Sequence, residues 1–221
     1  GAAQLLQMGE VGLWLNASGE LQLTGKGAYK DVAEQTSIAT TSGKLTDNAW
    51  HHIALNVLRQ GAAAVYVDGV RRLTTNASNM GGIATNKLLM GTHRKTVNAT
   101  TADYSYDRPF TGQIDELRVW NATLNADKLL SNRKARLTGS EDGLVAYYPF
   151  ETKALDQYNQ VVTTASAADI ARTGHEATVL GGSSTEVNFT DEAPALRTKK
   201  TEVNVPFTFV ASNEKVVITI D

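Results

Sequence analysis

Short runs of alternating apolar and polar residues, each closed by turn-forming residues, constrain this chain more than any other feature. Side chains on a strand point to opposite faces in turn, so a two-residue period marks strands with one buried face; a helix would repeat every 3.6 residues. Val11–Leu15 leads through Asn16-Ala17-Ser18-Gly19 into Glu20–Leu23, a predicted hairpin. Trp50–Leu58 is a second predicted strand, with His51, Ile53, Leu55 and Val57 on one face and Trp50, His52, Ala54 and Asn56 on the other. Ala63–Val67 and Val70–Leu73 flank Asp68-Gly69, a strong two-residue hairpin signal. Leu88–Met90, Thr111–Trp120, Gly143–Phe150, Val203–Val210 and Lys215–Ile220 are further strands, whereas Thr74–Gly82 and Thr92–Asp107 are rich in Asn, Thr and Ser and read as loops. One helix is predicted over Ala126–Arg136, with Asn125 as N-cap and Leu129 and Leu130 able to pack down. The pattern defines an all-β fold, a jelly-roll sandwich of two antiparallel sheets with one short helix and a small C-terminal β annex.

Composition removes several function classes. The chain has 221 residues, 42% of them hydrophobic, which is enough for one core without covalent staples. It has no cysteine, so a disulfide scaffold, a thiolate metal site and a cysteine nucleophile are all excluded. Lys+Arg 21 against Asp+Glu 23 leaves a net charge of −2, which does not provide the basic field that nucleic-acid binders use against phosphates. No apolar run approaches the ~18 residues that a membrane span needs. The opening Gly1, with no Met, reads as the mark of a cleaved tag or of an excised segment.

Three segments, in order and at sensible spacing, resemble a known family. Asp47-Asn48-Ala49-Trp50-His51-His52-Ile53-Ala54 is similar to the "D-x-x-W-H-H-V-A" strand of laminin-G-like, concanavalin A-like jelly rolls. Val65-Tyr66-Val67-Asp68-Gly69 resembles the "Y-V-D-G" hairpin of that family. The run from Phe110 to Asn121 resembles its "F-x-G-x-I-D-E-V-R-I-W-N" strand, and Thr123–Leu129 resembles the short helix that follows. Leu137–Glu151 and Gly174–Gly182 are similar to the "G-L-V-A-Y-Y-x-F" and "G-T-L-x-G-G" elements of bacterial multidomain examples. The resemblance covers residues 1–197 and implies further strands before residue 1, so this domain is expected to lack its N-terminal strands. Residues 198–221 are expected to be a linker and the start of a further β module. Lys128 stands where the family usually has Glu.

The fold family includes glycoside hydrolases, whose chemistry needs a pair of carboxylates flanking the sugar bond. The E-x-D-x-x-E strand of related sandwich enzymes is absent, and Asp115 and Glu116 are adjacent, which on a strand sends them to opposite faces. The same alternation makes His51 and His52 a poor metal pair. His175-Glu176 begins like a zinc-protease motif but lacks the second His. No nucleophile elbow, P-loop or dinucleotide fingerprint is present, so no catalytic residue is assigned and the chain is expected not to be an enzyme. The resemblance brings in calcium as the possible metal, with Asp107, Asp115, Asp103 and Asn98 as candidate oxygen ligands. Tyr104 and Tyr106, beside Arg108 and near His93, are candidate ligand-binding residues, since aromatic rings next to polar groups suit a sugar. Trp50 and Trp120 are expected in the core. Five Asn-x-Ser/Thr sequons occur, at Asn16, Asn76, Asn98, Asn121 and Asn188.

The sequence therefore predicts a non-catalytic, lectin-like module of a larger secreted or cell-surface protein, bacterial by its lack of cysteine. Its expected partners are carbohydrate or an extracellular protein, together with neighbouring domains. The alternative is a structural spacer or adhesion module without a sugar ligand.

Overall fold

The alternating runs build two antiparallel sheets. The computed structural model describes residues 1–26, 36–82, 88–98, 100–101, 103–133, 135, 137–150, 166–167, 171, 177–178 and 215–220. In chain order the strands are β1 (Ala3–Met8), β2 (Val11–Leu15), β3 (Glu20–Gly25), β4 (Thr36–Lys44), β5 (Ile53–Leu58), β6 (Ala62–Val67), β7 (Val70–Asn76), β8 (Leu88–Met90), β9 (His93–Asn98), β10 (Asp103–Asp107), β11 (Leu117–Trp120), β12 (Leu144–Tyr148), β13 (Ser166–Ala167), β14 (Ala177–Thr178) and β15 (Lys215–Ile220). One helix, α1 (Ala126–Asn132), lies between β11 and β12 in the chain. A five-stranded sheet runs β4-β3-β2-β1-β8 and a six-stranded sheet runs β12-β11-β15-β5-β6-β7; β9–β10 and β13–β14 are separate two-stranded ribbons. The all-β jelly-roll prediction is met.

The core follows the two-residue period. Leu6, Met8, Leu13, Leu23, Leu88 and Met90 from the first sheet pack in one buried cluster with Leu55, Val57, Val65, Leu117, Val119 and Tyr148 from the second. Burying each large apolar side chain contributes on the order of 1.5–3 kcal/mol, so this cluster holds the two sheets together. The other face of the six-stranded sheet has its own cluster, Ala54, Trp120, Leu129, Leu137 and Tyr147. That is why both faces of β5 are buried and why α1 exists at all: its Leu129 covers the outside of the sheet. Leu130, in contrast, is half exposed.

The turns obey local chemistry. Asp68 and Gly69 both have positive φ, 54° and 78°, as a two-residue hairpin with matching twist requires. A Cβ on Gly69 would sit 2.6 Å from Leu130 Cδ1, so glycine is needed there both for conformation and for the approach of α1. Asn16, Asn76 and Asn98 each accept a hydrogen bond through Oδ1 from the backbone N–H two residues on, at Ser18, Ser78 and Thr100, at 2.9 Å in each case. Three of the five sequons are thus turn elements in which the Asn side chain mimics a backbone turn.

Several predicted boundaries change. Residues 74–82 continue β7 to Asn76 and then form a 3-10 turn, Ala77–Met80, capped by Asn76. Residues 92–107 form the β9–β10 hairpin rather than a loop. The predicted Thr111–Trp120 strand is regular only over β11, because Glu116 has a positive φ of 54° that breaks extension. Helix α1 begins at the predicted cap, where Asn125 accepts from the Lys128 N–H at 2.8 Å, but ends at Asn132. Arg118 Nη1 donates to the Asn132 carbonyl at 2.6 Å and Nη2 to the Ala135 carbonyl at 2.8 Å, which fixes that end. Trp120 is buried as predicted, whereas Trp50 is half-buried. Within 198–221, Lys215–Ile220 pairs in the six-stranded sheet between β11 and β5. The predicted Val203–Val210 strand lies outside the described residues.

Candidate functional site

The ribbon β9–β10 is the most distinctive surface feature, and it is fastened at its base. β8 ends at Gly91, whose φ of 70° turns the chain outward. Gly91 N–H donates to the Leu5 carbonyl at 3.1 Å, and the Gln4 N–H donates to the Arg108 carbonyl at 3.0 Å, so both roots of the ribbon are tied to β1. Gln7 reinforces this: its Nε2 donates to the Arg94 carbonyl at 3.0 Å and its Oε1 accepts from the Arg94 N–H at 2.8 Å. Between the strands, His93 Nδ1 and Asp107 Oδ1 are 2.6 Å apart, and Thr92 Oγ1 donates to the Asp107 carbonyl at 3.1 Å. His93 is only 1% exposed. Arg108 reaches back, its guanidinium lying 5.1 Å from the centre of the Trp14 ring, while Trp14 Nε1 donates to Thr24 Oγ1 at 2.8 Å. Buried hydrogen-bonded groups of this kind make a stiff root.

The register then sorts the predicted ligand residues. Tyr104 pairs with Thr96 and Tyr106 with Arg94, while Ser105 pairs with Lys95 and Asp107 with His93. Residues two apart share a face, so positions 104 and 106 lie on one face of the ribbon with Arg94 and Thr96 opposite them. Their Cα atoms are separated by about 6.6 Å along the strand. Tyr106 is 50% exposed and Val97, near the tip, is 57% exposed. His93 and Arg108, predicted to share the site with the tyrosines, do not: His93 is buried on the other face and Arg108 packs on Trp14. Arg94 and Thr96 were not predicted; only recognition of a hairpin in 92–107 would have placed them beside the tyrosines.

The calcium candidates are also separated. Asn98 pairs with Asp103 at the tip, and Asp107 lies four residues further along β10, about 13 Å away at strand rise. Calcium holds its oxygens at about 2.3–2.6 Å, so these residues cannot share one ion. Asn98 Oδ1 also accepts from the Thr100 and Thr101 N–H groups. Asp115 is 1% exposed. Among the described residues, no group of three or more His, Cys, Asp or Glu is placed to hold a metal.

The remaining singled-out residues have packing roles. Glu116 accepts from Arg118 Nη2 at 2.5 Å and from the Tyr147 hydroxyl at 2.8 and 3.0 Å, and the Arg118 guanidinium lies 5.6 Å from the Tyr147 ring centre. Burial and the neighbouring Glu116 carboxylate raise the Tyr147 hydroxyl well above its ordinary value. With its bonds to the end of α1, Arg118 clamps the helix to the sheet. His51 bridges two carboxylates, Asp68 Oδ2 at 2.8 Å and Asp47 Oδ1 at 3.0 Å. Burial pulls its pKa down, but the bonds to Asp68 and then Asp47 outweigh that, so it is raised overall. His52 goes the other way, pushed down to about 4 by burial and then by the charges of Arg118 and Arg133. The two rings therefore serve different environments, as the alternation predicted. His175 lies outside the described residues.

The two packed sheets define an antiparallel β-sandwich that carries the β9–β10 ribbon. A family model described as the concanavalin A-like lectin/glucanases superfamily, of laminin G-like type, matches residues 2–129, and the chain belongs to that superfamily. The match covers less than the predicted 1–197, but it takes in the "W-H-H", "Y-V-D-G" and "I-D-E" segments. Comparison with curated proteins gives no match. No helix among the described residues is long and apolar enough to cross a membrane.

Proposed function

We propose that this chain is a non-catalytic carbohydrate-binding module of a secreted or cell-surface protein, and that it binds sugar on the tyrosine face of the β9–β10 ribbon. The observation that carries the reading is the half-exposed Tyr106 on a strand face shared with position 104, on a ribbon whose root is fixed by His93, Asp107 and Gln7. A spacing of about 6.6 Å between successive same-face residues is of the size of one sugar ring, and the half-exposed Tyr106 offers a ring on which a sugar unit can stack. Arg94 and Thr96, paired across from them, supply polar groups for hydroxyls, and a rigid root keeps the ordering cost of binding low. The superfamily commonly binds carbohydrate or protein ligands and also includes glucanases. The engagement of Glu116 by both Arg118 and Tyr147 serves the packing of α1 and favours the non-catalytic reading.

The second reading is adhesion to an extracellular protein through the ribbon tip, where Val97 is exposed. A glycan-panel screen with wild type and Tyr106→Ala, run with calcium and again with chelator, separates them. Sugar binding lost in the variant supports the first reading. No sugar bound by folded protein sinks it. Binding unchanged by chelator removes calcium from the account.

A further inference from the structure

The ring of His51 is held at both ends. Nδ1 lies 2.8 Å from Asp68 Oδ2, and Nε2 lies 3.0 Å from Asp47 Oδ1. An ionised carboxylate only accepts, and a neutral imidazole has a single N–H to give. Both contacts are therefore hydrogen bonds only while the ring carries both protons. The arrangement is a carboxylate–imidazolium–carboxylate bridge, and one proton decides whether it is complete.

The bridge joins parts of the chain that are far apart in sequence. Asp47 belongs to the exposed segment 46–49 between β4 and β5, and Asp68 to the tight turn between β6 and β7. The Leu45 N–H donates to the Gly19 carbonyl at 2.8 Å, so the segment leaves the β2–β3 turn of the five-stranded sheet and enters β5 of the six-stranded one. Asp47 faces the ring from this segment and Asp68 from the turn, while Arg133, at the end of α1, stands 3.6 Å from Asp68 Oδ1. His52, the next residue, points the other way by strand alternation and is kept neutral by burial and by the charges of Arg118 and Arg133.

The two anchors are unequal. Asp68 Oδ1 also accepts from the His52 N–H at 3.1 Å, and the Asp68 N–H donates to the His52 carbonyl at 2.8 Å. Asp47 is the more exposed of the two, and its other bond, from the Ala49 N–H at 3.0 Å, stays within its own segment. When the ring gives up one proton, the other remains on Nδ1, against the better-held carboxylate. The Nε2 lone pair then faces Asp47 Oδ1. Two acceptors at that distance repel, and the weaker anchor gives way.

We propose that Asp47, His51 and Asp68 form a proton-operated latch: with both ring nitrogens protonated it fastens segment 46–49 to the β6–β7 turn, and loss of the Nε2 proton releases the Asp47 end. Burial works against the charged ring, but the bonds to Asp68 and then Asp47 outweigh it and raise its pKa above 6.5. The latch is thus closed below that value and opens as the pH rises through the raised one. The inference rests on the bridge geometry and does not depend on sugar binding.

The test follows ring and segment together in the full chain by NMR. The histidine rings are titrated across the imidazole range, His51 is assigned with His51→Gln, and heteronuclear NOEs of the 46–49 amides report the mobility of the segment. The expected result is a His51 midpoint above 6.5 and a loss of NOE intensity with the same midpoint. Asp47→Asn, at an exposed side chain, should lower the ring midpoint and abolish the pH dependence of the segment, because an amide can accept from Nε2–H or donate to its lone pair. Asp68→Asn should lower the midpoint further, and where that variant does not fold the Asp47→Asn comparison decides. A wild-type midpoint at or below 6.5 overturns the proposal. A midpoint unchanged in Asp47→Asn overturns it too, as does a segment whose NOEs stay constant through the titration of the ring.

Discussion

Lowering the pH from 7 to 4.5 tests the packing behind β5 through one side chain, His52. The ring is 4% exposed, and its pKa is pushed down from 6.5 to about 4, first by burial and then by Arg118 and Arg133. In the unfolded chain the imidazole takes up a proton near pH 6.5, while in the folded state it stays neutral until about pH 4. The unfolded state therefore binds more protons across that window, and stability is lost as the pH falls through it. One pKa unit is about 1.36 kcal/mol, so His52 alone removes about 2.5 kcal/mol between pH 7 and pH 4.5. His51 works in the opposite sense: its pKa is raised, so its contribution is complete below about 6.5 and is lost as the pH rises through the folded value. His52→Gln keeps a neutral side chain of similar size and removes the titration. Equilibrium urea unfolding at both pH values should show wild type losing about 2.5 kcal/mol more than His52→Gln. Equal losses in the two proteins, or a His52 resonance that titrates above pH 6, would refute the reasoning.

Other expectations follow from the same contacts. Arg118→Ala removes the cation paired with Glu116, leaving that carboxylate the Tyr147 hydroxyl, and frees the carbonyls at the end of α1; it should cost about 3–5 kcal/mol in urea unfolding, as breaking a buried charge pair does. Gly69→Ala meets both a φ of 78° and Leu130 Cδ1 at 2.6 Å; it should lower stability by more than about 1 kcal/mol, and Leu130→Ala in the same chain should recover part of that loss. Leu55→Ala opens a cavity between the sheets and should cost about 2–5 kcal/mol, measured by the same unfolding curves with an unchanged far-UV spectrum.

Strands with clean alternation were legible in the sequence, and so was the Asp68-Gly69 turn, because burial on one face and positive φ leave direct marks on residue choice. β1 was missed because Gln4 and Gln7 interrupt its apolar run. Their amides are buried by satisfying backbone groups, Gln4 Nε2 on the Leu6 and Leu13 carbonyls and Gln7 on Arg94, a cause visible only after folding. The ribbon at 92–107 read as a loop because one face meets no core, so its residues show polar composition rather than alternation. For the site, sequence pointed to Tyr104 and Tyr106 but grouped them with His93 and Arg108. Pairing register, which no local pattern encodes, separates them. The order of the six-stranded sheet was illegible for the same reason: Lys215–Ile220 carries a strand signature that is silent about its neighbours.

The most direct test of the binding account is titration of the purified chain with the sugars retained in a glycan panel, comparing wild type with Tyr106→Ala. The account predicts saturable binding by wild type and at least a tenfold loss in the variant, about 1.4 kcal/mol, with the unfolding curve unchanged because Tyr106 is half exposed. Equal affinity in the two proteins would contradict it, and so would the absence of any sugar binding by folded wild type.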